Sequence, residues 1–145
     1  MNLELQIIIR FGLAPGDRFT VPKSNLQVID HHALYLGNDD FGNHYICENV
    51  VGHGVKLTRV QDFFNGVTKV TSIVKFSGTN EKRKEAVQKA LSKLGQPYHL
   101  INYNCEHFVN DVLHNYPKSL QVENAFKTFF GIALGLFVVA LIAGD

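Results

Sequence analysis

Cys105 is the residue in this sequence around which chemistry can be built. It stands in Asn104-Cys105-Glu106-His107-Phe108-Val109, at the head of a pattern that puts Phe108, Val109, Val112 and Leu113 on one helical face. Asn104 is a favourable N-cap residue, so Cys105 falls in the first helical turn. There the unpaired backbone N–H groups and the positive end of the helix dipole favour a thiolate over a thiol. The competing reading is a small buried hydrophobe, as most free cysteines are. A thiolate nucleophile needs a base within hydrogen-bond reach and a third polar group to orient that base. His31, in Asp30-His31-His32-Ala33-Leu34-Tyr35-Leu36-Gly37, is the leading base, and the pattern alone does not separate it from His32. His44 is the candidate third member, placed near His31 by a hairpin, and Glu48, of the same parity on that strand, would do the same job as a carboxylate. His53, His99, His107 and His114 are read as structural or incidental.

The elements that must position these residues come from a chain of 145 residues, enough for one domain with a real core. Lys+Arg 14 against Asp+Glu 13 gives a net charge of +1, which removes the electrostatic case for nucleic acid. Two cysteines, Cys47 and Cys105, make no disulfide framework and point to a reduced, intracellular setting. No CxxC and no Cys/His spacing suggests zinc, and no cofactor or metal is expected. Residues 1–11 lack a basic segment and hold only the short Ile7-Ile8-Ile9 run, so they are not read as a signal peptide.

Branched aliphatics over 3–9 predict a first strand, and Pro15-Gly16-Asp17 is turn chemistry. Strands are expected over 18–21, 28–36, 44–51, 55–58 and 67–76, with one helical turn near 61–65. In the second of these, alternation puts His31, Ala33 and Tyr35 on one face and His32 and Leu34 on the other. Asn80 is read as the cap of a helix whose apolar face is Ala86, Val87, Ala90, Leu91 and Leu94, stopped by Gly95 and Pro97. Cys105 opens the next helix, ending between His114 and Pro117. Strands followed by helices predict an α+β fold rather than a βαβ series.

Residues 128–143 are sixteen in a row without a charge, and apolar on all sides. A span needs roughly 20 such residues, with a range of about 17–25. A domain of this size has little room to bury such a helix, which favours insertion in a bilayer, with Lys127 reaching the interface. Residues 1–120 are therefore expected to form the catalytic domain and 121–145 a hydrophobic membrane anchor.

Asn104-Cys105-Glu106-His107-Phe108 resembles the signature of the lecithin:retinol acyltransferase-like family, which includes the HRAS-like suppressor phospholipase/acyltransferases. Pro15-Gly16-Asp17, the His31-x-Ala33-x-Tyr35-x-Gly37 strand, Gly95-Gln96-Pro97-Tyr98 and Ser119-x-Gln121-Val122 extend the resemblance over nearly the whole chain. It implies a circularly permuted papain-like fold related to the NlpC cysteine peptidases, an antiparallel sheet packed against helices. Carried over, Cys105 corresponds to the nucleophile and His31 to the general base. The family's third residue, a His about a dozen positions later, falls on His44, with Asn43 at the strict spacing. The implied reaction takes an acyl chain from a glycerophospholipid onto Cys105 and passes it to water, an amine or a lysolipid. A monomer is implied, bound to a membrane with its catalytic domain facing the cytosol. The rival readings are a peptidase or amidase with the same Cys-His chemistry, and an idle membrane-binding protein that kept the fold.

Overall fold

The computed structural model describes residues 2–23 and 29–143, with 133–143 as backbone alone. The chain opens with a helix, α1 (Leu3–Phe11), and not with the expected strand. Asn2 caps it by accepting from the Leu5 N–H at 2.8 Å, and Gly12 ends it in the left-handed conformation at φ 57°. The β-branched run misled because Glu4, Ile7, Ile8 and Phe11 also lie at helical spacing, and tertiary packing of that face overrides strand propensity. Ile7, Ile8 and Phe11 pack on the core, while buried Glu4 accepts from Arg59 at 2.9 and 3.1 Å and from the His44 N–H at 3.1 Å.

Five strands follow: β1 (Arg18–Pro22), β2 (Asp30–Asn38), β3 (His44–Val50), β4 (Gly54–Arg59) and β5 (Ser72–Val74). They form one sheet in the order β4-β3-β2-β1-β5, antiparallel at every pairing. The strand expected over 67–76 is reduced to the three residues of β5, because Val67 and Val70 leave the ladder to pack on the core. The start of the second predicted strand, at Val28, lies outside the described residues. A short helix, α2 (Val60–Phe63), stands where one turn was expected.

Alternation along the strands feeds two cores. On one face of the sheet, Ala33, Tyr35 and Ile46 pack with Phe19 and Val60 beneath α1 and α2. On the other, Leu34 and Cys47 pack against α3 (Asn80–Ser92) and α4 (Cys105–His114) through Ala86, Ala90, Phe108, Val109 and Val112. Thr79 rather than Asn80 caps α3, its hydroxyl accepting from the Lys82 N–H at 3.3 Å. The Pro15-Gly16-Asp17 turn is bonded to β2, Gly16 N–H to Tyr35 O at 2.7 Å and Tyr35 N–H to Asp17 O at 3.0 Å. The architecture is the expected α+β.

A last helix, α5 (Leu120–Ala143), leaves the body of the domain after Pro117. Among the described residues no helix is long and apolar enough to cross a membrane. Residues 133–145, more than half of the expected anchor 121–145, lie outside the residues whose side chains are described.

Candidate active site

The capping expected of Asn104 is present in full. Its side-chain oxygen accepts from the Glu106 and His107 N–H groups at 2.9 and 3.1 Å, and its own N–H donates to His107 Nδ1 at 3.3 Å. His107 is thus the reciprocal half of a capping box. Cys105 occupies the first position of α4, among the N–H groups that have no acceptor within the helix.

Cys105 lies beside the first residues of β2. Its sulfur is 3.9 Å from the Asp30 carbonyl oxygen, and the His31 imidazole lies close enough to favour its ionised form. Burial opposes ionisation of this thiol. The His31 hydrogen bond and charge, the His32 backbone N–H and the charge of Lys23 outweigh burial, and its pKa falls below the ordinary value. His31 moves the opposite way: burial pushes it down, but hydrogen bonds and charge from Cys105 and Glu48 lift it to about 9. Each group thus favours the charged form of the other. Cys47 shows the contrast, a fully buried core thiol pushed up to about 12 by burial and by the charge of Glu48. No disulfide joins the two cysteines.

Glu48 completes the line. Its Oε2 lies 2.7 Å from His31 Nε2. The other carboxylate oxygen accepts from Thr58 Oγ1 at 2.5 Å and lies 3.7 Å from Lys56 Nζ. Burial raises the pKa of Glu48, but His31 and Thr58 lower it by more, so it stays ionised against the imidazolium. The Phe63 ring, 6.0 Å from that of His31 and inclined by 24°, covers the imidazole.

His44 is not in this group. It pairs with Asn38, seven residues along β2 from His31, which at about 3.3 Å per residue is roughly 20 Å away. Its Nδ1 is 2.6 Å from the Tyr35 hydroxyl and its ring stacks on that of Tyr35. Asn43 belongs to the turn, giving two hydrogen bonds of 2.9 Å to Asp39. The physical reason is register. The hairpin closes at Asn38 and His44, a bulge at Tyr35 and Gly37 shifts the pairing by one, and Glu48 is what arrives opposite Ala33, next to His31 on the same face. Counting back from the turn without the bulge would put Glu48 opposite Leu34, on the other face from His31.

His32, on the other face of β2, is buried and held neutral, with its pKa lowered to about 4 by burial and by the Arg18 charge. Its Nδ1 accepts from Arg18 at 2.9 Å and from the Thr20 hydroxyl at 3.1 Å. Neither role resembles a base for Cys105. Among the described residues no group of three or more His, Cys, Asp or Glu side chains could hold a metal ion.

Cys105 lines a cleft of about 1000 Å³ between the 98–104 segment and the first half of α5. Leu100 and Ile101 form one wall, Phe126, Phe129 and Ile132 the other. Leu100 and Ile101 sit at the tip of a narrow loop closed by paired His99 and Tyr103 backbone bonds, and both are exposed.

The lecithin retinol acyltransferase family matches the chain over residues 12–117, the span from the Pro15-Gly16-Asp17 turn to the end of the cysteine helix. The chain belongs to this family. Curated relatives of this lecithin retinol acyltransferase domain include mouse (Mus musculus) phospholipase A and acyltransferase 5, 38% identical over 77 residues, which are 49% of this chain and 27% of that protein. The rat (Rattus norvegicus) protein of the same name is 38% identical over 76 residues, 48% and 25% of the two chains. The human (Homo sapiens) protein is 39% identical over 77 residues, 49% and 26%. The aligned stretch thus spans about a quarter of the length of these relatives. The sheet and helices are those of a lecithin retinol acyltransferase domain, related to the NlpC type.

Proposed function

We propose that this chain is a thiol-dependent phospholipase A and acyltransferase working on glycerophospholipids, with Cys105 as nucleophile and His31 as general acid and base. The observation that carries the reading is the Cys105–His31–Glu48 line set at an apolar cleft large enough for a lipid acyl chain. Family membership and the names of the relatives supply the reaction class. The Cys105 thiolate attacks an ester carbonyl, forming the C–S bond, and the carbonyl electron pair moves onto oxygen. The reading assigns the Cys105 N–H as a donor to that oxyanion. The tetrahedral adduct collapses by breaking the C–O bond, and the His31 imidazolium gives its proton to the leaving oxygen of the lysolipid. Neutral His31 then takes a proton from water, an amine or a lysolipid hydroxyl as that group attacks the thioester, which restores the thiolate and imidazolium. Glu48 keeps the imidazole oriented and its cation stabilised throughout.

The exposed apolar residues around the cleft suit a lipid surface. Leu100, Phe129 and Phe130 are 70%, 67% and 65% exposed. With the uncharged run of 128–143 they support attachment to a membrane through the tail, and the reading takes the catalytic domain as cytosolic and the chain as a monomer.

The direct test is mass spectrometry of the full chain incubated with phosphatidylcholine vesicles. The expected result is a gain of one acyl chain on Cys105, absent in Cys105→Ser. Wild-type protein that neither gains the acyl group nor releases fatty acid overturns the reading.

A further inference from the structure

The helix that walls the cleft is tied to both members of the pair at its foot. Glu106 immediately follows Cys105 and is 5% exposed, and the Ser119 hydroxyl donates to it at 2.7 Å and the Gln121 N–H at 3.1 Å. Ser119 in turn caps α5, its oxygen accepting from the Val122 N–H at 3.3 Å and from Asn104 Nδ2 at 3.2 Å. The Gln121 side chain reaches the other way, onto the residue preceding His31. Its Oε1 accepts from the Asp30 N–H and its Nε2 donates to the Asp30 carbonyl, each at 3.2 Å. A primary amide thus pairs with one backbone unit much as a neighbouring strand would, across 91 residues of sequence.

That carbonyl is the one 3.9 Å from the Cys105 sulfur. An unoccupied carbonyl there would accept from the S–H and repel a thiolate, favouring the protonated nucleophile. The donor from Gln121 engages the oxygen's lone pair and weakens that preference. The same two bonds hold the start of β2, and with it His31, against the helix that carries the cleft wall. We infer that Gln121 is a positioning residue acting through Asp30, which ties the seating of α5 to the ionisation of Cys105. This rests on the reading of Cys105 as nucleophile.

The test is the pH dependence of Cys105 alkylation by iodoacetamide in the full chain without lipid, followed by peptide mass spectrometry. Gln121→Met keeps the side-chain length and apolar packing but loses both bonds. It is expected to move the titration upward by about half a unit, or roughly threefold less alkylation at neutral pH. Gln121→Glu keeps the acceptor and replaces the donor by a negative charge, and it is expected to move the titration further than Met does. A wild-type titration in whichever variant folds overturns the proposal. Loss of fold in both, seen by circular dichroism, also overturns it, since the bond pair is then structural rather than tuning. Failure of lipid acylation alone would strike the phospholipase reading and leave this result standing, because alkylation needs no lipid.

Discussion

At the residue scale, the two cysteines and two neighbouring histidines are separated by environment rather than by type. Cys47 is a core side chain raised to about 12, whereas Cys105 is lowered by its contact with His31. His31 is raised to about 9 and His32 lowered to about 4, although they are adjacent, because one faces a carboxylate and a thiol and the other an arginine. Activity requiring the thiolate–imidazolium pair rises as Cys105 loses its proton and falls as His31 loses its own, near pH 9. Glu48 contributes negative charge that raises the His31 value. Glu48→Gln is therefore expected to shift the alkaline limb to lower pH and to cut kcat on the order of 10²-fold. His44→Ala is expected to leave the alkaline limb in place. A pH–rate profile of each variant checks both, and a collapse of the limb in His44→Ala would count against Glu48 as the orienting group.

At the scale of elements, the site depends on how β4 meets the segment leading into the cleft. Val55 donates to Gln96 O at 2.9 Å and accepts from the Gly95 N–H at 2.8 Å, which fixes the chain just before Pro97 and Tyr98. Gly54 permits this approach. Its φ is +73°, and a Cβ there would lie 2.4 Å from the Gln96 carbonyl oxygen. Gly54→Ala must move backbone rather than a flexible side chain and also holds an alanine in the left-handed region. It is expected to lower stability by about 2 kcal/mol or more, read as a fall in the urea midpoint with the slope unchanged. Only a limited part of this was legible. The helix α4 showed as its cap and apolar face and α3 as a helix with its cap read one residue late, while α1 was hidden by strand propensity and β5 by apolar residues that pack without pairing.

For the molecule as a whole, the sheet carries structural helices on one face and the cysteine helix on the other, and the cleft opens where α5 departs. The exposed aromatics of α5 lie beside that opening, so a lipid surface that met them would also meet the way in to Cys105. Phe130→Asp places a charge on this exposed face at a residue outside the cleft lining. It is expected to reduce flotation with phosphatidylcholine vesicles severalfold while alkylation of Cys105 in solution stays as in wild type. Unchanged flotation would remove α5 as the lipid-contacting surface.

The sequence by itself determined the cysteine helix and its Asn104 cap. Those rest on local rules: an Asn before the helix, a cysteine in its first turn and an apolar stripe behind it. It also placed His31 on a strand whose alternation was read correctly, and its signature motifs named the family. Tertiary structure alone decided which carboxylate or imidazole stands behind His31, because one bulge and the hairpin register set what crosses the sheet. It alone brought Gln121 to Asp30 and Ser119 to Glu106. Such bonds join residues with no spacing rule between them, and only the packing of α5 against the mouth of the sheet brings them within reach.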